Sequence, residues 1–212
     1  MTAVPAFVVA LLGAESTGKT TLSRALCAAL VAEGHDAVVV DEYLREFCDR
    51  MQRTPRREEQ PSIAAEQTRR IAAAAATHAI VVADTTALMI AVYSDQVFGD
   101  TSLYAQAERD QQRIGLTLLT ALDLPWQADG LQRDGPHVRE PVDAKVRAAL
   151  VRSGAPFAIV SGSGRARLDA TLASVRRSLA PPLVDPEGPR WRWPCTCCGD
   201  PDCERRLLPR EA

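Results

Sequence analysis

Residues 13–20 read Gly-Ala-Glu-Ser-Thr-Gly-Lys-Thr, a match to G-x-x-x-x-G-K-[ST]. Glycines in such a loop let backbone N–H groups close around phosphate oxygens. The helix that follows adds the positive end of its dipole. Lysine in this position reaches the β- and γ-phosphates, and the hydroxyl after it binds Mg²⁺. The expected nucleotide contacts are therefore Gly13, Ala14, Glu15, Ser16, Thr17, Gly18, Lys19, Thr20 and Thr21. Only two of the 25 basic residues are lysines, Lys19 and Lys145. GC-rich codon usage explains that scarcity, and Lys19 is the exception with a chemical reason. A compact ammonium fits the loop where a planar guanidinium does not.

Two acidic clusters follow short apolar runs. Asp84 ends Ala-Ile-Val-Val-Ala and has the setting of a Walker B acid, holding Mg²⁺ with Thr20. Its competing role is a helix N-cap, shared with Thr85. Asp41 and Glu42 close the run at 37–40, with Arg45 and Glu46 one turn on. A carboxylate there could accept the proton of an attacking hydroxyl or bind a sugar hydroxyl. The alternative is a solvated helix start with an Arg–Glu pair. Either Asp41 or Glu42 could be the base.

Residues 124–140 are rich in Pro, Gly and Asp and read as a loop. In a phosphotransferase such a segment closes over the nucleotide and brings an arginine to the transferring phosphoryl group. Arg133 and Arg139 are the candidates, and a mobile surface loop is the alternative.

The elements that must hold these residues alternate in type. Strand-like runs lie at 6–12, 37–40, 79–83, 116–122 and 157–160. Helical periodicity fills the intervals: from Thr20 to Gly34, from Pro61 to about His78, in two stretches between 87 and 113, and over 141–151. A last helix carries Leu168, Leu172, Val175 and Leu179 and stops at Pro181-Pro182. Residues 49–60 read as a polar connection. Five buried strands separated by helices predict an α/β fold, a five-stranded parallel sheet flanked by helices.

The domain organisation expected is a P-loop domain over 1–180, a linker over 181–190 and a Cys-rich tail over 191–212. The tail packs Cys195, Cys197, Cys198 and Cys203 into nine residues. Four thiolates satisfy tetrahedral Zn²⁺, and soft sulfur also suits Cu(I). Free thiols and redox pairing are the other readings. Metal analysis under reducing conditions, with and without residues 190–212, separates them: metal lost with the tail supports a zinc site, and none in either form removes it.

Composition excludes several classes. With 25 basic and 27 acidic residues the net charge is −2, so no basic field points to nucleic acid. The apolar runs are too short to predict a membrane span. The first residues lack a basic n-region, so no secretory signal is expected and the location predicted is the cytoplasm.

Taken in order, GAESTGKTTL, DEYLREF, IVVADTT and PWQADGLQR resemble the ribosylnicotinamide kinase domain of NadR-like P-loop proteins over about residues 6–180. The E-Y-x-R-E-F and W-x-x-D-G-x-x-R segments are its specific parts. The resemblance implies ATP- and Mg²⁺-dependent phosphorylation of the 5′-hydroxyl of nicotinamide riboside. It puts Glu42, Arg45 and Glu46 on the substrate side and makes Trp126, Asp129, Gly130 and Arg133 the lid motif. It also favours Glu42 over Asp41 as the base. A kinase of another nucleoside is the alternative within enzymes. A regulatory ATPase with the cysteine tail as a metal sensor is the alternative outside them.

Overall fold

The structure is a computed structural model, and it describes residues 5–127 and 135–180. Five strands form one sheet: β1 (Phe7–Leu12), β2 (Ala37–Val40), β3 (Ile80–Asp84), β4 (Leu116–Thr120) and β5 (Phe157–Val160). Their order is β2-β3-β1-β4-β5, and every pairing is parallel. Seven α-helices are described: α1 (Lys19–Ala32), α2 (Tyr43–Met51), α3 (Gln60–Ala75), α4 (Ala87–Phe98), α5 (Tyr104–Gln111), α6 (Arg139–Ser153) and α7 (Gly164–Leu179).

Alternation along β1 explains the layers. Val9 and Leu11 point to the face covered by Leu22, Leu26 and Leu30 of α1 and by Leu172 and Val175 of α7. Val8 and Ala10 point the other way, against Ile71 of α3. Helix α4, whose first half is apolar with Leu88 to Val92 fully buried, forms the centre of that second layer. Helices α3, α5 and α6 pack around it, and Phe47 and Cys48 of α2 join the same cluster. An isolated strand pair could not bury both faces in this way; a doubly covered parallel sheet does.

Two expectations are corrected. The polar stretch at 49–60 is not all connection, because α2 runs to Met51 and buries Phe47 and Cys48. Apart from Arg45, its charged residues face outward, where Glu46 pairs with Arg70 and Arg50, so the helix hides within a hydrophilic composition. The fourth strand ends at Thr120 rather than 122.

Lys145 also acquires a reason. Its ammonium lies 2.6 Å from the Asp95 carboxylate, which also accepts from the Tyr104 hydroxyl at 3.0 Å. One carboxylate thus joins α4, α5 and α6.

Gly13 marks a close approach between β1 and β4. A Cβ there would fall 2.1 Å from Thr120 Oγ1, and its φ is +143°. Gly34, after α1, has φ +87° but open space around it. Gly13→Ala should therefore cost about 2 kcal/mol or more through clash plus backbone strain. Gly34→Ala should cost only about 1 kcal/mol, from the left-handed conformation alone. Urea unfolding of the two variants checks the order; equal costs would contradict this account of the loop.

Candidate active site

The register of the central strands sets the site. Leu11 of β1 lies opposite Asp84 of β3, so the loop after β1 and the carboxylate ending β3 emerge side by side. The loop itself is stitched from within. Thr17 is fully buried; its hydroxyl donates to Ala14 O at 2.8 Å and accepts from Thr120 Oγ1 at 2.7 Å. Ser16 takes a left-handed φ of +56°, as does Gly18 at +75°. Lys19 begins α1, and its Nζ donates to Gly13 O at 2.9 Å and to Ala14 O at 2.8 Å. The ammonium is enclosed, and desolvation lowers its pKa; the nearby Glu42 and Asp84 carboxylates oppose that shift.

Asp84 is 1 % exposed. Burial holds its pKa above the ordinary carboxylate value, against the Thr20 hydroxyl bonded to it and the Lys19 charge. Its Oδ1 is buried and makes no hydrogen bond. A hard oxygen left without a donor, beside the Thr20 hydroxyl, fits a cation that takes one carboxylate and keeps phosphate oxygens and water as its other ligands, which is the habit of Mg²⁺. The capping role goes elsewhere: Thr86 caps α4 by accepting from Leu88 N at 3.3 Å.

The two acids after β2 part company. Asp41 is exposed and pairs with Arg24 at 3.1 Å. Glu42 turns inward, its side chain 9 % exposed and 3.7 Å from Arg45 Nε. Glu42 lines a cavity with Lys19, Arg45 and Gln60; Glu15, Ser16 and Thr54 add polar wall, and Leu44, Pro55, Tyr93, Val97 and Phe98 form an apolar and aromatic side. Cys48 also lines it, its thiol pushed up to about 11 mainly by burial and next by Glu42. A larger groove runs along the other side of the loop, from Thr17 to Leu22 and on to Leu124, Gly164, Arg167 and Leu168. Arg45 borders both.

Of the lid residues, Asp129, Gly130 and Arg133 lie outside the described residues, as do Cys195, Cys197, Cys198 and Cys203. The described start of that segment sits on the loop: Ser16 Oγ accepts from Gln127 N at 2.8 Å. Trp126 is half-buried with its indole N–H unbonded. Arg139 opens α6 and is buried, with Nε and Nη2 lacking partners. Glu46 stays in the surface ion network with Arg70. Among the described residues no cluster of three or more His, Cys, Asp or Glu side chains could hold a metal, and no helix is long and apolar enough to cross a membrane.

Three polar residues at the site escaped sequence reasoning. Arg167 of α7, 4 % exposed, donates to Thr17 O at 2.8 Å and to Gly162 O at 3.3 Å, tying α7 to the loop. Gln67 of α3 is fully buried. Its Oε1 accepts from Tyr43 N at 2.8 Å, while Nε2 lies 3.3 Å from Thr85 O and 3.4 Å from Asp41 O. It therefore clamps the ends of β2 and β3 together. Gln60 is 4 % exposed with an unbonded Oε1. Only a glutamine on the apolar face of a helix hinted at any of these.

A family model described as an AAA domain matches residues 8–167, and the chain belongs to that family. No curated protein matches its sequence. Its fold is that of the P-loop kinases. The NadR protein, solved in complex with NR, superposes with a TM-score of 0.67 at 20% identity over 82% of this chain and 50% of that one. The chain thus spans about half the length of that protein. Thymidylate kinase from Ehrlichia chaffeensis gives a TM-score of 0.58 at 15% identity, over 84% of this chain and 100% of the kinase.

Because Asp84 binds its proton more tightly folded than unfolded, its burial costs nothing below the unfolded pKa. The cost grows as pH rises through the folded value. Asp84→Asn should therefore melt at or above the wild-type temperature at pH 7, with the difference shrinking on acidification. It should also lose the part of ATP stabilisation that depends on Mg²⁺. Thermal melts at several pH values check both; a large fall in Tm with the Mg²⁺ dependence intact would contradict the role.

Proposed function

We propose that the chain is an ATP-dependent kinase that phosphorylates the 5′-hydroxyl of nicotinamide riboside. One observation carries the reading: a cavity with an aromatic and apolar wall opens onto both Lys19 and Glu42. A donor phosphate bound at the loop and an acceptor in that cavity would meet at these two side chains. The pyridinium ring of nicotinamide riboside is flat and cationic, which suits aromatic faces near a carboxylate. The similarity to NadR solved with NR supports the same substrate class.

In this reading the loop amides and Lys19 hold the phosphates of ATP. Mg²⁺ held by Thr20 and Asp84 supplies charge neutralisation on those phosphates. Glu42 orients the acceptor hydroxyl and takes its proton. Arg45, between the cavity and the groove, stabilises charge on the transferring group. Arg139 and Arg133 are the further cations that a closed lid would bring, with Trp126 and Asp129 on the acceptor side. Asp41 has no part in the chemistry. The reaction has the loose, charge-dominated character that makes positioning and electrostatics the main contributions.

Incubated with ATP, Mg²⁺ and nicotinamide riboside, the protein should yield the mononucleotide and ADP in equal amounts, and Lys19→Ala should abolish this. Glu42→Gln should lower kcat by about 10²- to 10⁴-fold. Asp41→Asn should stay within about threefold, since exposed pairs contribute little. ATP hydrolysis that ignores every riboside would replace this reading with the regulatory ATPase.

A further inference from the structure

Gln60 is the first residue of α3, and it is buried to 4 % exposure in the wall of the acceptor cavity. Buried glutamines are ordinarily bonded on both sides, as Gln67 and Gln111 are in this protein. Gln60 differs. Its Oε1 is shut off from solvent and accepts nothing, and its amide nitrogen donates to no described residue. Leaving such a group unpaired is costly, and a cavity-lining site is where that cost has a use.

We propose that Gln60 is the specificity-determining residue of the acceptor cavity, and that it reads a carboxamide carried on a planar ring. A carboxamide presents a carbonyl acceptor and an N–H donor side by side. With the Gln60 amide turned so that its now-enclosed oxygen faces the cavity, such a group can bond both halves of the side chain at once. A carboxylate on the same ring offers acceptors only; it can take the N–H of Gln60 but leaves Oε1 buried and facing negative charge. The residues around Gln60 fit the rest of such an acceptor. Tyr93 and Phe98 supply aromatic surface, and Glu42 and Lys19, the groups that would meet a ribose hydroxyl, line the same cavity. Sites built to hydrogen-bond one group reject the analogue that leaves the site unpaired, and the rejection exceeds what apolar contact can achieve.

This inference rests on the nucleoside kinase reading above, and the experiment separates the two. Steady-state kinetics are measured with nicotinamide riboside and with nicotinic acid riboside, for wild type, Gln60→Leu and Gln60→Glu. Stabilisation by ATP and Mg²⁺ confirms that each variant is folded. Wild type should prefer the amide by about 10- to 100-fold in kcat/KM. Gln60→Leu should raise KM for the amide about tenfold or more with kcat little changed, and should erase the preference. Gln60→Glu keeps an acceptor for the amide N–H, so it should retain more amide activity than Gln60→Leu and reject the acid more strongly. Conversion of the amide with unchanged KM and unchanged preference in Gln60→Leu would overturn the role of Gln60 and leave the kinase reading standing. Failure of wild type to convert either riboside would overturn both.

Discussion

The site depends on an ammonium and a carboxylate that share one enclosed space at the ends of adjacent parallel strands. Lys19 and Asp84 are each penalised by burial, and each relieves part of the other's penalty. Lys19 has further relief from Glu42, the larger carboxylate contribution, and from the Gly13 and Ala14 carbonyls, whereas Asp84 keeps a net penalty from burial. The β1–β3 register delivers them together, placing Leu11 opposite Asp84 in two strands with no polar residue before that carboxylate. A slip of one residue would turn Val9 and Leu11 away from α1 and move the carboxylate off the loop.

Much of the remaining structure keeps that arrangement rigid. Thr17 and Thr120 lock the loop to β4, and Arg167 locks it to α7. Gln67 holds the β2 and β3 ends at a fixed separation through three backbone groups. Thr85, next to Asp84, takes a left-handed φ of +85° that a β-branched residue rarely adopts. Strain of this kind persists only where neighbours over-determine it, and here the Gln67 and Leu11 bonds to the Thr85 backbone do so. The second buried polar chain, from Thr86 through Gln111 to Thr117, anchors the same corner from below.

The parts of this design that were legible in the sequence are the local ones. The loop is a contiguous motif whose context, strand before and helix after, is visible within 25 residues. The strands announce themselves because burial on both faces demands unbroken apolar runs. Asp84 was visible as the first charge after such a run, but its choice between metal and helix cap was not, since that turns on which hydroxyl reaches Leu88 N. Residue types alone left Asp41 and Glu42 open, because which of them turns inward depends on where β2 stops and α2 begins; only the resemblance favoured Glu42. Helix α2 was legible only as a possible helix start, and its run to Met51 was not, because Phe47 and Cys48 are its only buried side chains, set among charges. Gln60, Gln67 and Arg167 come from helices whose polar residues look alike until packing decides which of them face inward.

The central claim is that phosphate moves from a nucleotide at the loop to a sugar hydroxyl in the cavity beside it. Phosphorus NMR of a reaction holding ATP, Mg²⁺ and nicotinamide riboside tests this most directly, because it reports the bond that forms. The account predicts a new phosphomonoester resonance coupled to the C5′ protons of the ribose, growing in step with the loss of the γ-phosphate signal. Inorganic phosphate as the sole new phosphorus species beside ADP would contradict it.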